Sequence, residues 1–141
     1  MAESAYRWDV PERFNFARDV VDRLATEDRL GLVAVSTDLK RRDFSFAEIA
    51  DASKRWAAVL RDAGIGKGDR VVVVIPKIPE WLFCMTALLR IGAGAVPSAE
   101  QLRAKDLLYR ATHSGAIGVV GHVTNADEIE ALRPDAPALR S

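Results

Sequence analysis

The sequence predicts an α/β fold: an open, mostly parallel sheet with helices on both faces, preceded by a small hairpin. Three observations predict it. Val71 to Ile75 is an unbroken β-branched run, the pattern of a strand covered on both faces in the middle of a parallel sheet. Segments with apolar residues at helical spacing alternate with such runs, as right-handed βαβ crossovers require. No repeat or low-complexity tract interrupts that alternation, and 141 residues suit one ordinary domain with a real core.

Asn15 is placed to cap a first helix, whose apolar positions Phe16, Val20 and Leu24 recur every four residues and form one stripe. Leu30 to Ser36 is apolar and β-branched, Thr37 to Arg42 is polar, and Asp43 to Ser45 is extended, which together read as a hairpin. Lys40-Arg41-Arg42 falls in the polar turn and reads as a solvated loop tip. Ser45 with Glu48 three residues on fits a capping box, with Phe44 stapling onto Ile49. A long helix starts there, buries Ile49, Ala50, Trp56, Ala57 and Leu60 on one face, and stops at Gly64.

Gly64, Gly66 and Gly68 with Lys67 look at first like a phosphate loop. A Walker-type loop runs from a strand into a helix and follows its lysine with Ser or Thr. Here a helix comes first and a strand last, and Lys67 is followed by Gly68 and Asp69, whose carboxylate repels phosphate. The glycines therefore read as a helix stop and a turn. After the Val71 strand, Pro79 suits the first turn of a helix that is apolar on every side from Trp81 to Leu89. Cys84 in its middle reads as an inert core thiol, because an apolar setting raises the pKa. Gly92 and Gly94 end this helix and Ala95 to Pro97 begins a short strand.

Ala104, Leu107, Leu108 and Ala111 give the next helix its apolar face over Arg103 to Ser114, and Gly115 stops it. Ile117 to Val123 is the following buried strand. Asn125 with Glu128 marks another helix start, carrying Ile129 and Leu132. Residues 1–133 thus read as one folded unit and 134–141 as a linker or truncated end.

Composition excludes several classes. Twenty basic residues balance twenty acidic ones, so no net field favours nucleic acid. The longest uncharged apolar run is about half of the ~18 residues a membrane span needs, so no span is expected. One cysteine forms no internal disulfide, and Met-Ala-Glu-Ser-Ala-Tyr-Arg-Trp lacks the order of a secretory signal, which makes the cytoplasm the expected location. His113 and His122 have neither a metal-ligand spacing nor an adjacent partner, and read as structural or surface residues. No nucleophile elbow or metal motif is present, so neither catalytic nor metal residues are assigned.

Phe14-Asn15-Phe16-Ala17-Arg18-Asp19, Phe44-Ser45-Phe46-Ala47-Glu48, and Gly68 through Trp81 in the form Gly-Asp-Arg-Val-Val-Val-Val-Ile-Pro-Lys-Ile-Pro-Glu-Trp resemble the N-terminal part of AMP-forming acyl-CoA synthetases. Gly92 to Pro97, Gln101-Leu102 and Lys105 to Arg110 continue the match in order. The Asn-Phe-Ala opening, the Pro-Glu-Trp segment and the Gln-Leu pair are most similar to the medium-chain branch. The resemblance implies that this chain is part of the large N-terminal domain of an adenylate-forming enzyme. It also implies a two-step reaction in which a small carboxylic acid, of medium chain length, attacks the α-phosphate of ATP with Mg²⁺ present, and the thiol of coenzyme A then displaces AMP.

The family's Ser/Thr/Gly-rich phosphate loop, its acidic ATP and ribose motifs and the lysine of its mobile C-terminal domain have no counterpart in these residues. The resemblance therefore implies a fragment or truncated product that is inactive alone and self-associates through exposed sheet surfaces. The alternative is a non-catalytic binding or regulatory module derived from the same fold. One ligand contact carries over: Gln101 matches the glutamine of the medium-chain Gly-Thr-Thr-Gln-Leu loop, a coenzyme A contact. Ser98-Ala99-Glu100 stands where that loop has Gly-Thr-Thr, and the added carboxylate of Glu100 opposes an anionic ligand. Trp81 reads as core, with an approach to the acyl channel as the other reading.

Overall fold

The computed structural model describes residues 7–140; the first six residues, read above for a secretory signal, and Ser141 lie outside them. The expected α/β architecture is present. A parallel three-stranded sheet of β3 (Arg70–Val74), β4 (Gly94–Pro97) and β5 (Gly118–Gly121) has the order β4-β3-β5. Val72 of the central strand pairs with Val96 on one side and Val119 on the other. Val71 to Val74 are wholly buried, and their alternation divides the core. Val71 and Val73 face α1 (Phe46–Asp62) and α2 (Pro79–Ile91); Val72 and Val74 face α3 (Ala104–Ser114) and the region of α4 (Ala126–Glu130).

The hairpin of β1 (Leu30–Val35) and β2 (Arg41–Ser45) precedes the sheet and is antiparallel, with Leu32 opposite Phe44. The basic triplet is not all loop tip. Arg41 and Arg42 belong to β2, where Asp43 accepts two hydrogen bonds from Arg41 at 2.6 and 2.8 Å and Arg42 lies 4.4 Å over the Phe44 ring. Lys40 at the turn pairs with Asp38 at 2.6 Å. Each charge has a local partner, as expected of a solvated face.

The capping box forms as read: Ser45 N–H donates to Glu48 Oε2 at 2.8 Å and Glu48 N–H donates to Ser45 Oγ at 3.2 Å. Phe44 and Ile49 share a buried cluster with Phe83, whose ring meets Phe44 edge-on at 5.5 Å. Gly64 beyond α1 and Gly92 beyond α2 adopt φ of +80° and +75°, the left-handed turn that closes helices at little cost for glycine. Between them, Gly66 N–H donates to Asp69 Oδ2 at 2.8 Å, so the amide that would welcome a phosphate already serves the turn.

Three local readings need correction. The first helix is a π-helical turn, Ala17–Asp22, and buries Ala17 and Val21; Phe16 is exposed and Val20 and Leu24 are half-buried. The cause is tertiary. Asn15 caps the turn through Arg18 N–H at 3.1 Å, and its Nδ2 also donates to the Leu89 and Arg90 carbonyls at 2.9 and 3.3 Å, so the end of α2 sets the entry angle. Gly94, read as part of a helix end, begins β4 and pairs with Arg70. The third concerns the last strand, read as Ile117 to Val123: β5 ends at Gly121 and Val123 is exposed. The helix start read at Asn125 is present as α4, although neither Asn125 nor Glu128 caps it. Asn125 is buried and its Nδ2 donates to the Glu100 carbonyl at 2.7 Å, while Glu128 accepts from Ala104 N–H at 2.6 Å and Arg103 Nη1 at 2.9 Å. Glu128 is thus the cap of α3, delivered from another element.

Residues 134–140, read as a linker or end, lie against the domain: Ala136 is buried, Leu139 packs on the α3 face and Arg140 N–H donates to the Ile117 carbonyl at 2.8 Å. No helix among the described residues is long and apolar enough to cross a membrane. Cys84 is wholly buried beside Val73 and Leu88, and desolvation pushes its thiol up to about 12. Native chain is expected not to react with an aromatic disulfide reagent at neutral pH, and to release one equivalent of chromophore once unfolded in urea. Stoichiometric labelling of folded chain would refute the inert-core assignment.

Candidate functional site

Parallel strands end on one edge of a sheet, and in open α/β folds that edge is where ligands bind. Here β3 runs out into Ile75-Pro76-Lys77-Ile78 and β4 into Ser98-Ala99-Glu100-Gln101. Pro79 at the first position of α2 turns the chain back under the sheet. The space between these two loops and β1 is a cleft of about 960 Å³. Val33 and Val35 of β1 form one wall and Ile78 with Trp81 another, so most of the lining is apolar. Lys77 and Glu100 are the charged residues that line it among the described residues.

The structure brings Gln101 and Trp81 into this one cleft. Gln101 is exposed at its rim, and its Nε2 donates to Glu100 Oε1 at 3.3 Å. The amide that would meet a ligand is therefore turned to the carboxylate beside it. Trp81 is half-buried; it packs on the core around Val71 and Val73 and also presents surface to the cleft, so its two readings describe the two sides of one side chain. The Ser98 N–H donates to the Val73 carbonyl at 2.9 Å, which continues the β3–β4 ladder and ties the loop base to the sheet.

The two histidines stay apart from the cleft. His113 stacks on Tyr109 at 5.4 Å on the outside of α3, and His122 Nδ1 lies 2.9 Å from Thr124 Oγ1 after β5. No group of three or more metal-ligating side chains occurs among the described residues. Glu128, behind the Gln101 loop, has its carboxyl held below the usual range by the Ala104 N–H and then by Arg103. Sequence reasoning passed over Lys77 and the Val33–Val35 wall. The signal for Lys77 was its place just past a buried parallel strand; the wall had none, because β1 lies some forty residues earlier in the chain.

Comparison with known proteins gives a consistent picture. The profile of the family described as "AMP-binding enzyme" matches residues 21–141. The mitochondrial acyl-coenzyme A synthetase ACSM2 of Rattus norvegicus is 34% identical over 140 residues, covering 94% of this chain and 24% of the relative. Among solved structures, an acyl-CoA synthetase of Brucella canis superposes with a TM-score of 0.80 at 29% identity, over 90% of this chain and 23% of that one. An anthranilate CoA ligase in complex with anthranoyl-AMP shares the fold, with a TM-score of 0.79 at 23% identity over 93% of this chain and 25% of that one. The chain spans about a quarter of the length of the curated relatives it matches. A family profile that runs through the sheet, both helical faces and the Gln101 cleft leaves one conclusion: the chain belongs to the AMP-binding enzyme family.

Proposed function

We propose that this chain forms the first part of the N-terminal domain of an ATP-dependent acyl-CoA synthetase, and that its cleft receives coenzyme A. The family match over residues 21–141 carries the reading. In the proposed reaction a carboxylate attacks the α-phosphate of ATP, with Mg²⁺ present, to give an acyl-adenylate and pyrophosphate; the coenzyme A thiolate then attacks the acyl carbon and AMP leaves. Medium-chain acids are the proposed substrates. The described residues offer no phosphate loop, so no step at the phosphates is assigned to them, and the 141 residues are proposed to be inactive alone.

The cleft does suit coenzyme A in its donor set. Gln101 supplies an amide donor and acceptor, Lys77 an ammonium for an anionic group, and Val33, Val35, Ile78 and Trp81 an apolar surface for a long slender chain. These residues bind and orient. In the second step they would hold the thiol carrier in line, which replaces an entropically costly encounter by a fixed geometry. Glu100 opposes the phosphates of the ligand and occupies the Gln101 amide.

Two measurements test this. Protein recovered from its native cells with an antibody against this segment is expected to release pyrophosphate from ATP when given a medium-chain carboxylate, and to form the thioester when coenzyme A is added. The 141 residues alone are expected to do neither; thioester formation by them, or none by the native protein with any carboxylate, overturns the reading. Titration of coenzyme A into the chain is the second. Gln101→Ala is expected to weaken binding about fivefold, the worth of one neutral hydrogen bond near 1 kcal/mol. Glu100→Gln is expected to strengthen it by a similar factor at low salt and less at high salt, since it removes a like charge. Equal affinities across the three proteins would remove both residues from the site.

A further inference from the structure

The loop that carries Gln101 is fastened from behind at both ends. Before Gln101, the Glu100 carbonyl accepts a 2.7 Å hydrogen bond from Asn125 Nδ2. After it, the Ala104 N–H donates to Glu128 Oε2 at 2.6 Å, and Arg103 Nη1 donates to Glu128 Oε1 at 2.9 Å. Asn125 is only 5% exposed, and its Oδ1 lies 3.5 Å from Thr124 Oγ1, an arrangement that leaves Nδ2 to face Glu100. Leu102, between the two fastenings, packs inward on the α3 face of the core. Neither Asn125 nor Glu128 lines the cleft; both line a smaller groove of about 250 Å³ that shares Glu100 and Gln101 with it.

These contacts are more than a helix cap needs. Helix α3 requires an acceptor at its first turn, which Glu128 provides. The Asn125 bond serves no helix; it clamps the backbone one residue before Gln101, and it does so from a buried position where an amide without a partner would be costly. A loop free to sample other conformations must lose that freedom when its side chain engages a ligand, and ordering it beforehand removes the loss from binding.

We propose that Asn125 and Glu128 are positioning residues, holding the segment 100–104 so that Gln101 is presented to coenzyme A in the cleft. The proposal rests on the cleft reading given above. Neither side chain touches the ligand; both act through the backbone that flanks Gln101.

The test combines amide hydrogen exchange with coenzyme A titration on the 141-residue chain. Asn125→Asp keeps the shape but has no donor for the Glu100 carbonyl; Glu128→Ala removes the other fastening, and Glu128→Gln keeps an acceptor for the Ala104 N–H. Asp127→Asn, exposed between them, is the control. Asn125→Asp and Glu128→Ala are expected to speed exchange across residues 98–104 about tenfold, and to weaken coenzyme A about threefold, less than the loss of the Gln101 side chain itself, with exchange in Val71 to Val74 unchanged. Glu128→Gln is expected to restore most of both effects, and Asp127→Asn to change neither.

Faster exchange with wild-type affinity in Asn125→Asp and Glu128→Ala, while Gln101→Ala binds about fivefold more weakly, overturns the proposal and leaves the cleft reading intact. So does unchanged exchange in both variants. Acceleration that extends through Val71 to Val74 overturns it too, since that is the mark of a merely structural role. Absence of coenzyme A binding by the wild-type chain overturns the cleft reading, and the proposal with it.

Discussion

Leu88→Ala is expected to lower the unfolding free energy of this chain by about 3 kcal/mol, a large share of the ~5–15 kcal/mol that holds a typical domain together. Leu88 is wholly buried in α2, in the cluster that joins Val71, Val73, Cys84 and Ile91. That helix packs against the sheet and beside α1, so Leu88 is enclosed by both and has no solvent to take up relaxed atoms. Truncation removes the transfer free energy of the lost carbons and leaves a cavity that rigid neighbours on two sides cannot close. Leu89 is the internal control. It is 42% exposed, and Leu89→Ala is expected to cost less than about 1 kcal/mol. Urea unfolding checks both, with the midpoint of Leu88→Ala falling at unchanged slope. Similar losses in the two variants would contradict the layered packing.

Arg90→Met is expected to cost about 2 kcal/mol near neutral pH, and the loss should shrink on acidification. Arg90 at the end of α2 donates to both Asp22 oxygens, at 2.7 and 2.8 Å, and to Ser53 Oγ at 3.0 and 3.2 Å. Ser53 in turn donates to the Ala50 carbonyl at 2.8 Å, so one guanidinium joins the π-helical turn, α1 and α2. The side chains of Arg90 and Asp22 retain 14% and 28% exposure. Breaking a fully buried pair costs roughly 3–5 kcal/mol, and the residual solvent contact argues for a smaller figure here. Lys54, 3.9 Å from Asp22, retains part of the charge balance.

The pH dependence follows from Asp22. Hydrogen bonds from Arg90, followed by the Coulomb attraction of Arg90 and Lys54, hold its carboxyl below the usual range against the opposing cost of partial burial. A carboxyl depressed in the folded state contributes stability that is complete above its unfolded pKa, near 4, and is lost as pH falls through the folded value. Wild type and Arg90→Met should therefore converge in stability as the pH drops below about 4. A difference that persists unchanged at acid pH would show that Arg90 acts through its packing and not through Asp22.

How legible each feature was depends on how far its partners lie along the chain. The Ser45–Glu48 box was readable because three residues contain both halves of it. At Asn125 and Glu128 the spacing marked the start of α4, but it did not show that the two side chains bond to Glu100, Arg103 and Ala104. Their backbone partners come from a different crossover, and no local pattern announces them. The first helix shows the same limit. Its four-residue stripe was correct in period and wrong in phase, because Asn15 is also bound to carbonyls at the end of α2.

The sequence by itself determined the central strand, the alternation of strands and helices, the helix stops and the family. Those follow from side-chain periodicity, backbone preference and short motifs, all of which act over a few residues. Only the tertiary structure decided that Val33, Val35, Lys77, Trp81 and Gln101 share a cleft, that Arg90 joins three elements, and that the Gln101 loop is fastened by side chains some 25 residues away. The physical reason is the parallel sheet. Its crossovers carry distant segments to one edge, so the residues that meet there are set by strand order and packing and leave no spacing along the chain from which they can be read.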